Sequence, residues 1–180
     1  LKLVLALGKQ GTAVLNYDDE VVLDMKFRVK NRVLTFGLGE GADVYSTNLK
    51  THGIEESDDP AGVTFDLNHA GSVVPVKSRV LGKNGVYAML AATAVGLALD
   101  INLVQITEAL SKYRMPNGRL NLIRGIKNTW IIDDTFNAAP LSTHAALDVL
   151  GELKAKRKIA GLGDMREIGK YTFEAHETIG

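Results

Sequence analysis

The chain has 180 residues, room for one large domain or for parts of two. Apolar residues make up 46% and charged residues 23%, so a sizeable core can be buried. Lysine plus arginine total 21 and aspartate plus glutamate total 21, a zero net charge that argues against a nucleic-acid glove or a membrane-surface binder.

There is no cysteine, which excludes a disulfide framework and a thiolate zinc site and suits a reducing cytoplasm. The chain opens on Leu1, and the apolar Leu3-Val4-Leu5-Ala6-Leu7 read as belonging already to something folded. No basic region precedes an apolar segment with a cleavage site, so a start in mid-protein without a signal peptide is expected.

In chain order, Ala13-Val14-Leu15-Asn16 reads as a buried strand that ends on the polar group Tyr17, Asp18, Asp19 and Glu20. Val33 to Phe36 is a second strand, closed by Gly37-Leu38-Gly39-Glu40-Gly41. Asp43 to Leu49 and Val63 to Leu67 follow as strands, with Glu55 to Asp59 as the loop between them. Val73 to Val76, with Pro75 inside, suits a sheet edge, because proline donates no ladder hydrogen bond.

The pattern then turns helical. Gly85 to Leu99 predicts a helix with Asn84 as N-cap, and its apolar run Val86 to Leu99 is too short for a membrane span of about 20 residues. Leu103 to Lys112 predicts a second helix, with Val104, Ile106, Ala109 and Leu110 as its buried stripe. Tyr113 to Gly118, which contains Pro116 and Asn117-Gly118, is a turn-rich break and marks a domain boundary. Beyond it come a strand at Trp130 to Ile132, a helix at Leu141 to Leu153 and a strand at Lys158 to Leu162. Leu141, Ala145, Leu147, Val149, Leu150 and Leu153 supply that helix with apolar positions. Such alternation implies a parallel sheet flanked by helices, with ligands at the C-terminal ends of its strands.

Several motifs could carry chemistry. Gly37, Gly39 and Ala42 spell a dinucleotide fingerprint, but Asp43 to Thr47 looks extended, and a pyrophosphate needs a helix N-terminus there, so a turn between strands is expected. No phosphate-binding G-x-x-x-x-G-K-[ST] loop occurs, and His52, His69, His144 and His176 have no metal-ligand spacing. Asp18-Asp19 could hold a metal or orient a nucleotide, or simply end a strand in solvent. Asp133-Asp134 could accept hydrogen bonds from ribose hydroxyls, or cap a helix near a turn. Arg119 could clamp a phosphate with its forked donors or be ordinary surface.

These segments, taken together, resemble the Mur ligase family in order and spacing over nearly the whole chain. Val14-Leu15-Asn16-Tyr17-Asp18-Asp19 resembles a strand end of the family's central domain, and Thr35-Phe36-Gly37 with Ala42-Asp43-Val44 resembles the stretch after it. Gly82-Lys83-Asn84-Gly85-Val86-Tyr87-Ala88-Met89-Leu90-Ala91-Ala92 is similar to the family's G-x-H-x-V-Y-N-x-L-A-A helix start, and Asn117-Gly118-Arg119 to the entrance of its C-terminal domain. Asp133-Asp134-Thr135-Phe136-Asn137-Ala138-Ala139-Pro140 and Gly163-Asp164-Met165-Arg166-Glu167-Ile168-Gly169, the latter followed by His176 and Gly180, resemble the branch that adds D-alanyl-D-alanine.

The resemblance implies an α/β chain. Residues 1–113 would be the later part of a central ATPase domain whose P-loop is absent here, 114–118 a linker, and 119–180 the first half of a Rossmann-like C-terminal domain. It implies a monomeric cytoplasmic ATP-dependent ligase of peptidoglycan precursor synthesis that uses Mg2+. Its substrates would be UDP-N-acetylmuramoyl-tripeptide and D-alanyl-D-alanine, joined through an acyl phosphate, with this stretch inactive alone. Arg119 would be the catalytic residue, contacting ATP phosphates. Asp134 would hold the ribose, Asn137 would shape the loop facing the cleft, and Asn84 would stand in the nucleotide-binding helix start, with Asp164 a further strand-end candidate; no residue is assigned to the metal. The chain departs from the family at Asn84 (histidine there), Ala88 (asparagine), Phe136 (tyrosine) and Ala139 (asparagine). Ala88 and Ala139 support a rival reading, a non-catalytic nucleotide-binding or interaction relative. A second rival is another amide ligase, such as a folylpolyglutamate or cyanophycin synthetase, against which Gly163 to Gly169 argues.

Overall fold

A computed structural model describes residues 1–53 and 61–180; the expected loop at Glu55 to Asp59 lies outside the described residues. The order is α1 (Lys2–Leu5), β1 (Thr12–Asn16), α2 (Glu20–Leu23), a 3-10 turn (Asp24–Arg28), β2 (Arg32–Gly37), β3 (Val44–His52), β4 (Gly62–His69), β5 (Ser72–Ser78), α3 (Gly82–Ala98) and α4 (Leu103–Lys112). Then follow β6 (Asn121–Arg124), β7 (Trp130–Asp133), α5 (Pro140–Glu152), a 3-10 turn (Gly169–Tyr171) and α6 (Thr172–Glu177). The chain is mixed α/β and divides into two compact units.

The first unit comprises residues 1–50, 64–78 and 85–113. Strands β1 to β5 form one sheet in sequential order, with β5 at its edge, where Pro75 leaves no inner ladder position short of a donor. β1 and β2 run parallel from Thr12↔Arg32 to Asn16↔Phe36. β2 and β3 are parallel too, yet only Phe36↔Val44 and Gly37↔Tyr45 pair. Parallel neighbours ordinarily need a long crossover; the short connection at residues 38–43 suffices because β3 begins where β2 ends. Thr35 and Asp43 hold that step. Asp43 Oδ2 accepts from the Thr35 amide at 2.8 Å and hydroxyl at 2.7 Å, and the Asp43 amide donates back to Thr35 Oγ1 at 2.9 Å. No helix follows Gly37 and Gly39, as the extended Asp43 to Thr47 led one to expect.

Helix α3 buries Val86, Met89, Leu90, Thr93 and Ala94, the three- and four-residue spacing of one helical face. It starts at Gly82, three residues earlier than the composition suggested. Asn84 is therefore not an N-cap but an exposed residue of the first turn. The chain enters this helix through Gly82 at φ +69°, a conformation glycine adopts without cost. Helix α4 has the predicted bounds, is capped by Asn102 Oδ1 accepting from the Gln105 amide at 2.9 Å, and packs on β5. Its buried face is Ile106, Thr107 and Leu110; Val104 is 68% exposed and Ala109 exposed, correcting the expected stripe. Val104 precedes Ile106 by two positions, roughly 200° around the helix, so both cannot face β5. Leu3 and Leu5 lie in the one-turn α1 and are exposed.

The second unit comprises residues 51–63, 79–84 and 114–180. Its core is Ala61, Leu81, Leu120, Val149 and Leu153, with Leu122, Ile132 and Ala146 packed against it. β7 pairs with β6 in an antiparallel hairpin registered from Asn121↔Asp133 to Arg124↔Trp130. β6 was not foreseen. The expected strand at Lys158 to Leu162 carries no strand pairing; Ile159 and Leu162 are exposed, and no described segment takes up its backbone groups. Helix α5 matches the expected span and buries Val149, while Leu141 at its start is 86% exposed.

Candidate functional site

The candidate residues of the second unit converge where the chain enters β6 and leaves β7. Asp133 closes β7, and its carboxylate reaches back across the hairpin, Oδ2 accepting from the Gly118 amide at 3.0 Å. Its Oδ1 accepts from the Thr135 hydroxyl at 2.7 Å and the Thr135 amide at 3.3 Å. The Thr135 hydroxyl, and then the Gly118 and Thr135 amides, hold this carboxyl below the usual carboxylate range against the opposing effect of desolvation. Asp134 Oδ1 accepts from the Leu120 amide at 3.0 Å, and the Phe136 amide donates to the Gly118 carbonyl at 3.1 Å. Residues 118–120 and 133–136 are thereby joined by hydrogen bonds of one local network.

Arg119 lies between the two clamped amides and is exposed. Its guanidinium carbon stands 3.9 Å from the centroid of the Phe136 ring, a cation–π contact. Of the residues singled out by sequence, the structure brings Arg119 and Asp134 together, with Asn137 exposed one residue beyond Phe136. Asn84, in the first turn of α3, takes no part in these hydrogen bonds. Pattern reading missed Phe136 as the partner of Arg119 and the backbone-clamping use of both aspartates. The adjacency of Asp133 and Asp134 was the available signal, but its alternative reading was helix capping, and α5 takes Ala139 rather than an aspartate at its N-cap.

Asp164 is exposed and lines, with Arg166, Phe173 and His176, a shallow concavity of about 640 Å³. His176 is committed to structure there. Its Nε2 accepts from the Met165 amide at 3.0 Å, so Nδ1 carries the hydrogen and donates to the Thr172 carbonyl at 2.7 Å.

In the first unit, Asp18 Oδ2 accepts from the Leu38 amide at 2.7 Å and from the Tyr87 hydroxyl at 2.8 Å. Asp19 is the N-cap of α2, accepting from the Val22 amide at 3.0 Å. Both carboxylates of that strand end thus have structural employment. Among the described residues no three His, Asp or Glu side chains gather as a metal site. None of the described helices is long and apolar enough to cross a membrane.

Comparison with known proteins agrees with this architecture. The chain is 27% identical over 180 residues to the UDP-N-acetylmuramoyl-tripeptide–D-alanyl-D-alanine ligase of Buchnera aphidicola, covering 99% of this chain and 37% of that protein. It is 30% identical over 170 residues to the UDP-N-acetylmuramoyl-L-alanyl-D-glutamate–2,6-diaminopimelate ligase of Geobacillus thermodenitrificans, covering 93% and 33%. A crystal structure of MurF from Acinetobacter baumannii superposes with a TM-score of 0.85 at 29% identity, covering 96% of this chain and 36% of that one. The chain therefore spans about a third of the length of these relatives. Residues 1–96 match the Mur ligase middle domain. On that match, which takes in more than half of its residues, the chain belongs to the Mur ligase family.

Proposed function

We propose that the whole protein of which this chain is a part is an ATP-dependent amide-bond ligase that adds D-alanyl-D-alanine to UDP-N-acetylmuramoyl-tripeptide in the cytoplasm, acting as a monomer. The observation that carries the reading is Arg119: an exposed guanidinium on a backbone turn clamped by two aspartates, within a chain of this family. Similarity to the D-alanyl-D-alanine-adding enzymes and the Asp133 to Pro140 and Gly163 to Gly169 segments support the choice of substrates.

The chemistry asks for electrostatic positioning. A precursor carboxylate is a poor electrophile; its oxygen takes the γ-phosphoryl group of ATP, releasing ADP and leaving an acyl phosphate. The dipeptide amine then attacks the acyl carbon, phosphate departs with the C–O bond electrons, and the nitrogen loses its extra proton to solvent or a base. Both steps gather negative charge on phosphoryl oxygens, which a planar five-donor guanidinium can hold. In this reading Arg119 contacts the phosphates, the Asp134 oxygen not used by Leu120 accepts from the ribose, and Asn137 shapes the adjoining loop. Asn84 faces the nucleotide from the helix start. Residues 1–113 belong to the central domain, 114–118 to a linker and 119–180 to the C-terminal domain. Magnesium enters through the family's chemistry alone; the described residues gather no ligand set for it, and no step here runs through it.

The deciding experiment is magnesium-dependent ADP release by the full-length protein given ATP, UDP-N-acetylmuramoyl-tripeptide and D-alanyl-D-alanine. Release that requires both acceptors establishes the ligase. A second reading, a non-catalytic nucleotide-binding relative, is favoured by Ala88, an exposed alanine where the family's helix start has asparagine. Folded protein that binds the UDP precursor and releases no ADP would establish that instead.

A further inference from the structure

The turn that carries Arg119 runs against the preferences of its own backbone. Gly118 sits at φ +75°, and Leu120 at φ +47°, a region a bulky side chain seldom enters. Strain of this kind persists only where the surroundings over-determine it. Here they do: Asp133 takes the Gly118 amide, Asp134 takes the Leu120 amide, and the Leu120 side chain is buried in the core of its unit. A Cβ on Gly118 would lie 3.1 Å from the Phe136 nitrogen and 3.2 Å from its Cβ, so the 133–136 loop is pressed onto the turn. The main chain of Arg119 is thus fixed from both sides. Its long, exposed side chain is not fixed by any of this. Among the described residues, the contact that restrains it is the ring of Phe136.

We propose that Phe136 is the positioning residue of Arg119, its ring holding the guanidinium on the strained turn with the N–H donors directed to a phosphate. Phenylalanine suits this role because its ring presents a π face to the guanidinium and leaves the N–H donors free for the phosphate. This rests on the reading of Arg119 as a phosphate ligand. A restrained guanidinium gives up less side-chain freedom when the phosphate arrives, and that saving is what Phe136 contributes to nucleotide affinity.

The test is a double-mutant cycle in the full-length protein, reading the KM for ATP, the KM for each acceptor substrate and the dissociation constant of ADP. Phe136→Leu, a change at a side chain 67% exposed, should weaken ADP binding and raise the ATP KM roughly two- to fivefold, with acceptor KM values unchanged. Phe136→Tyr, which keeps the π face, should stay within about twofold of wild type. In an Arg119→Ala background, Phe136→Leu should have no further effect. If Arg119→Ala weakens ADP binding but Phe136→Leu does not, or if the Phe136→Leu loss persists undiminished without Arg119, the positioning role is overturned and the phosphate role of Arg119 stands. If Arg119→Ala leaves ADP binding unchanged, the phosphate reading fails and takes the positioning role with it.

Discussion

Tyr87, on α3, donates its phenolic hydrogen to Asp18 Oδ2, the same oxygen that receives the Leu38 amide. The strand end at Asp18, the loop after β2 and the first turns of α3 therefore meet on one carboxylate. Burial first, and then the hydrogen bond and negative charge of Asp18, push the Tyr87 phenol from 10.0 up to about 12. The folded-state value lies above the unfolded one, so the stabilisation is fully present below pH 10 and is lost as pH climbs towards 12.

Two results follow for Tyr87→Phe. The tyrosinate absorbance missing from the variant should rise in the wild type with a midpoint well above 10. At neutral pH the variant should lose about 1 kcal/mol of unfolding free energy, the net worth of one hydrogen bond, with the gap shrinking above about pH 10. A Tyr87 step centred at 10, the ordinary phenol value, would break the account.

Glycine to alanine should have opposite signs at two positions of the second unit. Gly82 has φ +69°, and a Cβ there would come within 2.7 Å of Val149 Cγ2, a side chain 2% exposed in the core. Gly82→Ala meets both the left-handed backbone penalty and the clash, and should cost about 2 kcal/mol or more. Gly151 lies in the last turn of α5, exposed, and a methyl group there would have no heavy atom within 4 Å. Gly151→Ala should gain about 0.5 kcal/mol from helix propensity. Urea unfolding of the two variants decides the matter; equal shifts in the same direction would contradict it.

What the sequence made legible follows from range. β1 and β2 were readable because each is a short apolar run closed by polar or glycine residues, β4 because Val63, Phe65 and Leu67 alternate with polar positions, and α4 because Ile106 and Leu110 recur at helical spacing before the break at Pro116. β6 escaped notice because its four residues, Asn121 to Arg124, bury no side chain fully and take their identity from pairing with β7. Lys158 to Leu162 failed for the converse reason: apolar composition predicts a strand, but a strand exists only where a neighbour accepts its backbone bonds. At the candidate site the residue types were visible and their employment was not. The Gly118 and Leu120 amides that Asp133 and Asp134 hold lie 15 and 14 residues away, and no local pattern encodes such a bond.

Helix α5 begins without a side-chain cap. Ala139 occupies the N-cap position in extended backbone, at φ −137° and ψ 154°, followed by Pro140. Ser142 supplies half of a capping arrangement, its Oγ accepting from the Ala139 amide at 3.1 Å and donating to the Ala139 carbonyl at 3.0 Å. The reciprocal bond, from an N-cap side chain to the first-turn amides, has no acceptor because alanine offers none. Ala139→Asn, which restores the family's residue, should raise the unfolding free energy by about 1 kcal/mol. Unfolding in urea at neutral pH measures this; an unchanged midpoint would mean the first turn is already satisfied.

Asp134 offers a way to separate architecture from ligand binding. Its Oδ1 satisfies the amide of Leu120, whose φ of +47° needs that support, and Leu120 is part of the core beside Val149. Asp134→Ala leaves a partly buried amide without its acceptor and should cost about 1–3 kcal/mol. Asp134→Asn keeps a carbonyl oxygen for the same bond and should stay much closer to wild type in stability. If the carboxylate also accepts from a ribose, the asparagine variant should still bind ADP more weakly while melting near wild type, because the amide keeps one acceptor where the carboxylate had two. Asparagine that matches wild type in both melting and ADP affinity would confine Asp134 to holding the Arg119 turn. Asparagine as unstable as alanine would instead show that the charge, and not the hydrogen-bond acceptor, keeps Leu120 in its left-handed conformation.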